Sequence, residues 1–266
     1  MNNKWAFITG ASSGIGKSFA EQLAQKGYHL VLLARRKERL EQLKKEVKIS
    51  HPNLKVEVIV QDLTEDNCIQ KIDLSLKALN IQIELLINNA GIAYFELFEK
   101  TTLEQKLATI HLNVIACTKL LHYFTGHMMD HKKQSYVCTI ASLAGYIPVG
   151  NLGVYSATKA YLNSLSETLS TEFKNKSISF TSISPGGVST EFSEKANQDV
   201  NQKAQSGMMT SDEVVRQSIK AIFNNKRRLI PGFLNKFSFL LFTVSPRSFA
   251  VDLAYKVMSK SVSKIK

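Results

Sequence analysis

The chain has 266 residues, of which 44% are hydrophobic and 21% are charged, as expected of a folded domain with a large core. Its 13 glycines and 5 prolines exclude a fibrous or low-complexity chain, and we find no run of about 18 apolar residues that could span a membrane. The 34 basic and 22 acidic side chains leave a net charge of +12. Three cysteines without a Cys-x-x-Cys pair, and no recognisable secretory leader, lead us to expect a reduced, cytoplasmic protein.

Short apolar runs alternate with longer amphipathic runs, which predicts β-α-β units. Strands are predicted at residues 5–9, 29–33, 55–60, 84–88, 136–141 and 178–184, with a weaker strand at 228–231. Helices are predicted at residues 14–26, 37–49, 65–79, 103–131, 155–174 and 211–223. We therefore expect an α/β fold with a doubly wound, mostly parallel, seven-stranded sheet and helices on both faces.

Unusual residues follow six of the predicted strands directly. Because ligands of open parallel sheets bind outside the carboxyl ends of the strands, we expect these residues to share one site. In chain order the six sets are Gly10 to Gly16, Arg35 and Arg36, Asp62 and Leu63, Asn88 to Gly91, Ser142, and Pro185 with Gly186.

The first set is a glycine loop with the spacing G-x-x-x-G-x-G between the first strand and the first helix. Glycines let the backbone approach a pyrophosphate, and the helix N-terminus offers amide groups to the phosphates. A tight strand-to-helix turn without a ligand is the alternative, but the position after the first strand favours a Rossmann-type dinucleotide site. The predicted binding residues are Gly10, Ser12, Ser13, Gly14, Ile15 and Gly16.

Arg35 and Arg36 stand where an acidic residue would hold the ribose 2′-hydroxyl of NAD. The first carboxylate of this region is Glu38. Arginine recognises phosphate through paired hydrogen bonds, and a cation sits poorly at the positive end of a helix without an anion nearby. These arginines favour NADP(H) over NAD(H), the alternative being a solvated helix start.

Tyr155 and Lys159 are four residues apart on a predicted helix, so both side chains lie on one face. A phenol has a pKa near 10 and works as an acid or base at neutral pH only when a nearby cation stabilises its phenolate. Lys159 is placed to do so, although this spacing alone is common on helices.

Taken in order along the chain, these motifs resemble those of the short-chain dehydrogenase/reductase superfamily, and of its NADP-preferring ketoreductases in particular. The resemblance runs from Lys4 to about Gly232. The motifs that carry it are Thr9-Gly10-x-x-x-Gly14-x-Gly16, Asp62, Asn88-Asn89-Ala90-Gly91, Asn113, Ser142, Tyr155-x-x-x-Lys159 and Pro185-Gly186.

The resemblance implies a catalytic tetrad of Asn113, Ser142, Tyr155 and Lys159. Tyr155 would be the general acid for carbonyl reduction, and Ser142 would polarise the carbonyl. Lys159 would lower the pKa of Tyr155 and bind the nicotinamide ribose, while Asn113 would anchor a water that relays protons to Lys159. No metal would be required.

The resemblance also implies contacts between the cofactor and residues beyond the glycine loop. Asp62 and Leu63 would contact the adenine, and Val188 and Thr190 would hold the carboxamide. The apolar helices around Asn113 and Tyr155 would form the interface of a homodimer or homotetramer, the alternative being that their apolar residues only pack in the core. The other implied cofactor-binding residues are Asn89, Ala90, Gly91, Tyr155, Lys159, Pro185 and Gly186.

His127 and His131 are also four residues apart on a predicted helix and could suggest a zinc site. The third ligand and the glutamate of such a motif are missing. Because imidazole is favourable near a helix C-terminus, we interpret both histidines as structural and expect no metal.

The C-terminal residues 226–266 carry nine basic side chains and one acidic side chain, Asp252. An apolar run over residues 233–242 lies within this basic region. We expect one domain over residues 1–266, with a core over 1–232 and an apolar, basic extension over 233–266. The extension is interpreted first as a lid over the substrate pocket, and otherwise as an oligomer interface or a peripheral membrane contact.

The sequence thus leads us to expect an NADP(H)-dependent oxidoreductase that interconverts a carbonyl and an alcohol on an apolar or acyl-type substrate. The alternative is a non-catalytic NADP-binding sensor or a membrane-surface binding protein on the same fold. Nucleic acid is not an expected partner, because no recognised module accompanies the basic charge.

Overall fold

The apolar runs form the strands of one parallel sheet. The computed structural model describes residues 4–192 and 208–261. The strands of this sheet are β1 Trp5–Thr9, β2 His29–Ala34, β3 Val56–Val60, β4 Ile83–Asn88, β5 Ser135–Ile140, β6 Ile178–Ile183 and β9 Arg228–Leu229. Their order in the sheet is β3-β2-β1-β4-β5-β6-β9, and every neighbouring pair is parallel. A second, two-stranded sheet pairs β7 Val188–Ser189 with β8 Met209–Thr210. The predicted seven-stranded, doubly wound fold is confirmed.

Helices cover both faces of the large sheet. They are α1 Gly14–Gln25, α2 Lys37–Ser50, α3 Cys68–Ala78, α4 Leu103–Ile110, α5 Cys117–Asp130, α6 Gly153–Glu172, α7 Ser211–Phe223, α8 Phe233–Val244 and α9 Arg247–Ser261. One face packs on α1, α2 and α7 through residues such as Phe19, Leu43 and Ile219. The other packs on α3, α5 and α6 through residues such as Ile72 and Phe124. Both faces are therefore apolar, and the inner strands are continuous hydrophobic runs.

The long helix predicted over residues 103–131 is interrupted. Between α4 and α5 the segment His111–Ala116 is π-helical. It contains Asn113, whose side chain accepts a hydrogen bond from the Ile92 amide and donates one to the Ile92 carbonyl, both at 2.9 Å. These long-range contacts hold Asn113 in the wider π-helical turn. Such turns are often found at functional sites.

His127 and His131 secure the start of β4. The Nε2 atom of His127 accepts a hydrogen bond from the Ile83 amide at 3.0 Å, and that of His131 lies 3.0 Å from the Ile83 carbonyl oxygen. Burial lowers the pKa of His127 and favours its neutral form. Among the described residues, no cluster of three or more metal-ligating side chains is found. Nor does any described helix combine the length and apolarity needed to cross a bilayer.

Asn163 connects α6 to the sheet beneath the site. Its Oδ1 atom accepts hydrogen bonds from the Ser182 and Ser184 hydroxyls at 2.9 and 2.8 Å, and its Nδ2 atom donates to the Ser142 carbonyl at 3.3 Å. Asn163 and both serines are buried. One side chain therefore ties the middle of α6 to β6 and to the end of β5.

We expect Asn163→Leu to destabilise the fold, because both serine hydroxyls lose their acceptor. A buried donor left unpaired costs about 1–3 kcal/mol. Urea denaturation measures the loss in the free energy of unfolding. Ser164→Ala, on the exposed face of the same helix, should change it little. Adding Ser182→Ala and Ser184→Ala to Asn163→Leu should restore part of the loss, and a triple variant no more stable than the single one would contradict this account.

Candidate active site

A cavity of about 1210 Å³ runs along the carboxyl ends of the strands. Every residue that the sequence predicts for the site lines this cavity except Gly16 and Asn113. The predicted residues that line it are Gly10, Ser12, Ser13, Gly14, Ile15, Arg35, Arg36, Asp62, Leu63, Asn89, Ala90, Gly91, Ser142, Tyr155, Lys159, Pro185, Gly186, Val188 and Thr190.

The glycine loop crosses the cavity where the strand order reverses, between β1 and β4. Gly10 has a φ of 65° and Gly14 a φ of 54°, a left-handed conformation that side chains disfavour. A Cβ atom on Gly16 would lie 2.3 Å from the Gly10 carbonyl oxygen, so a side chain does not fit there. The loop therefore runs close against the start of α1, whose first amide groups have no carbonyl partner within the helix. This cradle fits an anionic phosphate group.

Thr9 fixes the loop to the neighbouring strand. Its hydroxyl accepts hydrogen bonds from the Asn89 and Ala90 amides at 2.9 and 3.0 Å, and Asn89 Nδ2 donates to the Thr9 carbonyl at 2.9 Å. Thr9 is not among the predicted site residues, although its position directly before the first glycine of the loop indicates such a role.

The two arginines occupy different places. Arg36 donates to the Ser12 hydroxyl at 2.9 Å, to the Ser13 hydroxyl at 2.8 Å and to the Glu191 carboxylate at 3.1 Å. Arg39 bonds the same carboxylate. The guanidinium of Arg36 therefore lies against the glycine loop, and a carboxylate already occupies the space between two cations.

The side chain of Arg35 is 70% exposed and pairs with Asp62 at 3.4 Å, away from the loop serines. Partial burial raises the pKa of Asp62, but hydrogen bonds from Thr64 and the Arg35 guanidinium outweigh that effect and lower it. Both arginines line the cavity, but only Arg36 bonds the serines of the glycine loop.

Ser142, Tyr155 and Lys159 meet at the other end of the cavity. The Lys159 side chain is buried, and its Nζ atom donates to the Ile140 carbonyl at 2.7 Å and lies 5.6 Å from the centre of the Tyr155 ring. A Cβ atom on Gly91 would lie 3.1 Å from Asn113 Oδ1 and 3.5 Å from Lys159 Nζ. Both polar groups therefore border the small space beside Gly91. Asn113 also donates to the Thr158 hydroxyl at 3.1 Å.

Burial and one hydrogen bond act on the pKa of Tyr155 in opposite directions. Burial raises it to about 12, and only a hydrogen bond with Ser142 acts to lower it. Burial also lowers the pKa of Lys159 to about 8. The Lys159 ammonium donates to the Ile140 carbonyl, and the lowering of the Tyr155 pKa by Lys159 stays a prediction.

Sequence reasoning missed Asn163, Thr158 and Glu191. Asn163 follows Lys159 by four residues on α6, so the helical spacing that linked Tyr155 to Lys159 could have found it. Thr158 and Glu191 are recognised only by contacts with residues far away in the chain.

The C-terminal helices close one side of the cavity. Asn235, Ser238 and Phe242 of α8 and Leu253 and Ala254 of α9 contribute to its lining. The ring of Phe239 packs 5.0 Å from that of Tyr146 and 5.1 Å from the Arg228 guanidinium. These contacts hold α8 beside the cavity, and the role of the extension as a lid stays a prediction.

Comparison with known proteins assigns this arrangement to a family. The description of the matching family is short chain dehydrogenase, and it covers residues 4–201. The chain belongs to the short-chain dehydrogenase family.

It is 34% identical over 194 residues to the very-long-chain 3-oxoacyl-CoA reductase of Rattus norvegicus, covering 71% of this chain and 60% of that one. It is 29% identical over 221 residues to the 17-beta-hydroxysteroid dehydrogenase type 3 of Mus musculus, covering 82% and 69%. The match thus spans about 60% of the length of the 3-oxoacyl-CoA reductases.

Solved structures of the family share the fold over nearly the whole chain. A short-chain dehydrogenase from Sphingobium yanoikuyae in complex with NADPH has a TM-score of 0.79 and 28% identity, with 94% of this chain and 99% of that one covered. A 7beta-hydroxysteroid dehydrogenase has a TM-score of 0.85, with 94% and 96% covered. At 21% identity the latter likeness concerns the fold alone.

We expect Gly16→Ala to disrupt the loop, because its Cβ atom would overlap the Gly10 carbonyl. The backbone shift should cost about 1–3 kcal/mol of stability and weaken nucleotide binding. Gly126→Ala is the matched control, since a Cβ atom in that helix meets nothing within 4 Å. It should leave binding unchanged and stabilise α5 by at most about 1 kcal/mol. Thermal unfolding and fluorescence titration with NADPH measure both effects, and unaltered binding by Gly16→Ala would contradict the tight approach.

Proposed function

We propose that the protein is an NADP(H)-dependent oxidoreductase that interconverts a carbonyl and an alcohol. The observation that carries the proposal is one cavity with the glycine loop and Arg36 at one end and Ser142, Tyr155 and Lys159 at the other. When bound, the nicotinamide would supply or accept the hydride. The side chains described below would bind, orient and exchange the proton.

Tyr155 would donate its proton to the carbonyl oxygen of the substrate, and the Ser142 hydroxyl would hydrogen-bond the same oxygen. The phenol is protonated at neutral pH, as a general acid must be, and the Lys159 ammonium, 5.6 Å from the ring centre, would lower its pKa by stabilising the phenolate left after transfer. Lys159 would bind the nicotinamide ribose. Asn113 and Lys159 border the space beside Gly91, and we assign them to a proton relay through a water held there.

The preference for NADP(H) would rest mainly on Arg36. Its guanidinium already lies against Ser12 and Ser13, so a 2′-phosphate beside the glycine loop could replace the Glu191 carboxylate as its anionic partner. The NADPH complex of the Sphingobium relative supports this choice. Arg35 would stay with Asp62, and Asp62 and Leu63 would flank the adenine.

The substrate would be apolar or of the acyl type. Apolar side chains line the cavity near Tyr155, among them Ile147, Leu152, Phe192 and Phe242. The names of the relatives, a very-long-chain 3-oxoacyl-CoA reductase and a 17-beta-hydroxysteroid dehydrogenase, point to the same chemical class. Residues 233–266 would form the lid over this pocket and belong to the same domain as residues 1–232.

We further propose a cytoplasmic homodimer or homotetramer, with a peripheral contact to a membrane surface. Exposed apolar side chains around Asn113 and on α6 support the oligomer, including Leu107, Ile110, Ile115 and Tyr161. Such a patch on the surface of one subunit is typical of an interface.

Tyr155→Phe should abolish carbonyl reduction, because it removes the proton donor and leaves the ring. The NADPH dissociation constant should stay within a few-fold of the unmodified value. Initial rates of NADPH oxidation over a panel of ketosteroids, 3-oxoacyl thioesters, quinones and aldehydes measure the first effect. Tyr161→Phe, on the exposed side of the same helix, is the matched control and should retain activity.

Substantial turnover by Tyr155→Phe would show that another group donates the proton. NADPH binding without turnover of any carbonyl would favour a non-catalytic sensor.

Arg36→Ala should weaken NADPH binding far more than NADH binding. One charge-assisted hydrogen bond is worth about 1.5–3 kcal/mol, or roughly ten- to a hundredfold in affinity. Arg35→Ala is the matched control and should have the smaller effect. Glu191→Gln should tighten NADPH binding, because it removes the charge that competes for Arg36 and Arg39. Equal NADPH and NADH affinities in the unmodified protein would refute the assignment.

A further inference from the structure

Helix α8 presents an apolar stripe to the outside of the molecule. Its members recur at spacings of one, three and four residues, so at about 100° per residue they cover an arc of about 120° on one side of the helix. Phe233 is 81% exposed and Val244 is 73% exposed at the two ends. The stripe consists of Phe233, Leu234, Phe237, Leu240, Leu241 and Val244, all of them exposed.

The opposite side of α8 is already in use. Asn235, Ser238 and Phe242 face the cavity, and Phe239 packs on Tyr146 and Arg228. The stripe therefore cannot turn inward without giving up these contacts. The apolar run predicted over residues 233–242 is therefore a helix with an occupied inner face and an apolar outer face.

Exposed cations lie close to the stripe along the chain. Lys236 lies at its edge, Lys226 and Arg227 precede the helix, and Arg247 and Lys256 follow it on α9, all with exposed side chains. Residues 226–266 hold nine basic side chains and one acidic one. A helix with an apolar face and a basic border is typical of proteins that lie at the interface of an anionic membrane.

We propose that the α8 stripe docks on an anionic lipid bilayer, with its aromatic and leucine side chains below the headgroups and the exposed cations against them. A second copy of the chain fits this face less well. A symmetric contact places the same patch on both subunits, so it would bring two strongly basic surfaces together. The exposed apolar side chains on α4 and α6 already offer a separate surface for an oligomer. The docking surface does not depend on the proposed oxidoreductase activity.

The test is sedimentation of the full chain with vesicles. The unmodified protein should bind vesicles of phosphatidylglycerol and phosphatidylcholine, bind pure phosphatidylcholine weakly, and lose binding as salt rises. Phe237→Ser combined with Leu240→Ser should reduce binding to the anionic vesicles at least about tenfold. Lys236→Gln combined with Arg247→Gln should weaken binding to anionic vesicles only.

Ile49→Ser combined with Leu74→Ser is the matched control, since both residues are exposed on other helices. Thermal unfolding verifies that all variants fold. Failure of the unmodified protein to bind anionic vesicles would overturn the proposal, as would full binding by Phe237→Ser with Leu240→Ser. A change of oligomeric state in that variant, seen by size-exclusion chromatography with light scattering and without vesicle binding by the parent, would assign the stripe to a second copy instead.

Discussion

The parallel pairing of the strands is the constraint on which the rest of this protein depends. Parallel neighbours need crossover connections, here made by helices that cover both faces of the sheet, so the strands become continuous apolar runs and polar chemistry is confined to their ends. The order of the strands reverses between β1 and β4. Thr9 joins these two ends through hydrogen bonds with Asn89 and Ala90. The glycine loop, the asparagine-rich turn and the residues after β5 therefore meet in one cavity.

Burial sets the proton affinities at the reactive end of that cavity. The same loss of water that raises the pKa of Tyr155 to about 12 lowers the pKa of Lys159 to about 8. A carbonyl oxygen, that of Ile140, compensates the buried ammonium in part. The neutral phenol carries the proton that Tyr155 would donate in the role we propose for it, and the Lys159 ammonium beside it would ease the transfer by stabilising the phenolate.

The C-terminal helices connect the cavity with the surface. Phe239 of α8 packs between Tyr146 and Arg228. Tyr146 lies in the loop after β5, and Arg228 belongs to the edge strand β9. Tyr146 in turn donates a hydrogen bond to Glu167 on α6 at 2.5 Å. The inner face of α8 is thus tied to the elements that carry Ser142 and Tyr155, and the outer face is left apolar. A substrate of the apolar class proposed here would find the pocket and the proposed membrane contact on the two sides of one helix.

The sequence by itself determined the order of the elements and the residues that meet at the strand ends. Strand β1 and helix α7 have the predicted bounds, because the spacing of apolar residues that predicts them is local to the chain. Tertiary structure decided the rest. The π-helical turn at Asn113 depends on Ile92, 21 residues away. The position of the Arg36 guanidinium against the glycine loop depends on Ser12 and Glu191. The burial that raises the pKa of Tyr155 and the outward orientation of the apolar face of α8 likewise depend on contacts between residues far apart in the chain. The local spacing of residues in the sequence does not predict such contacts.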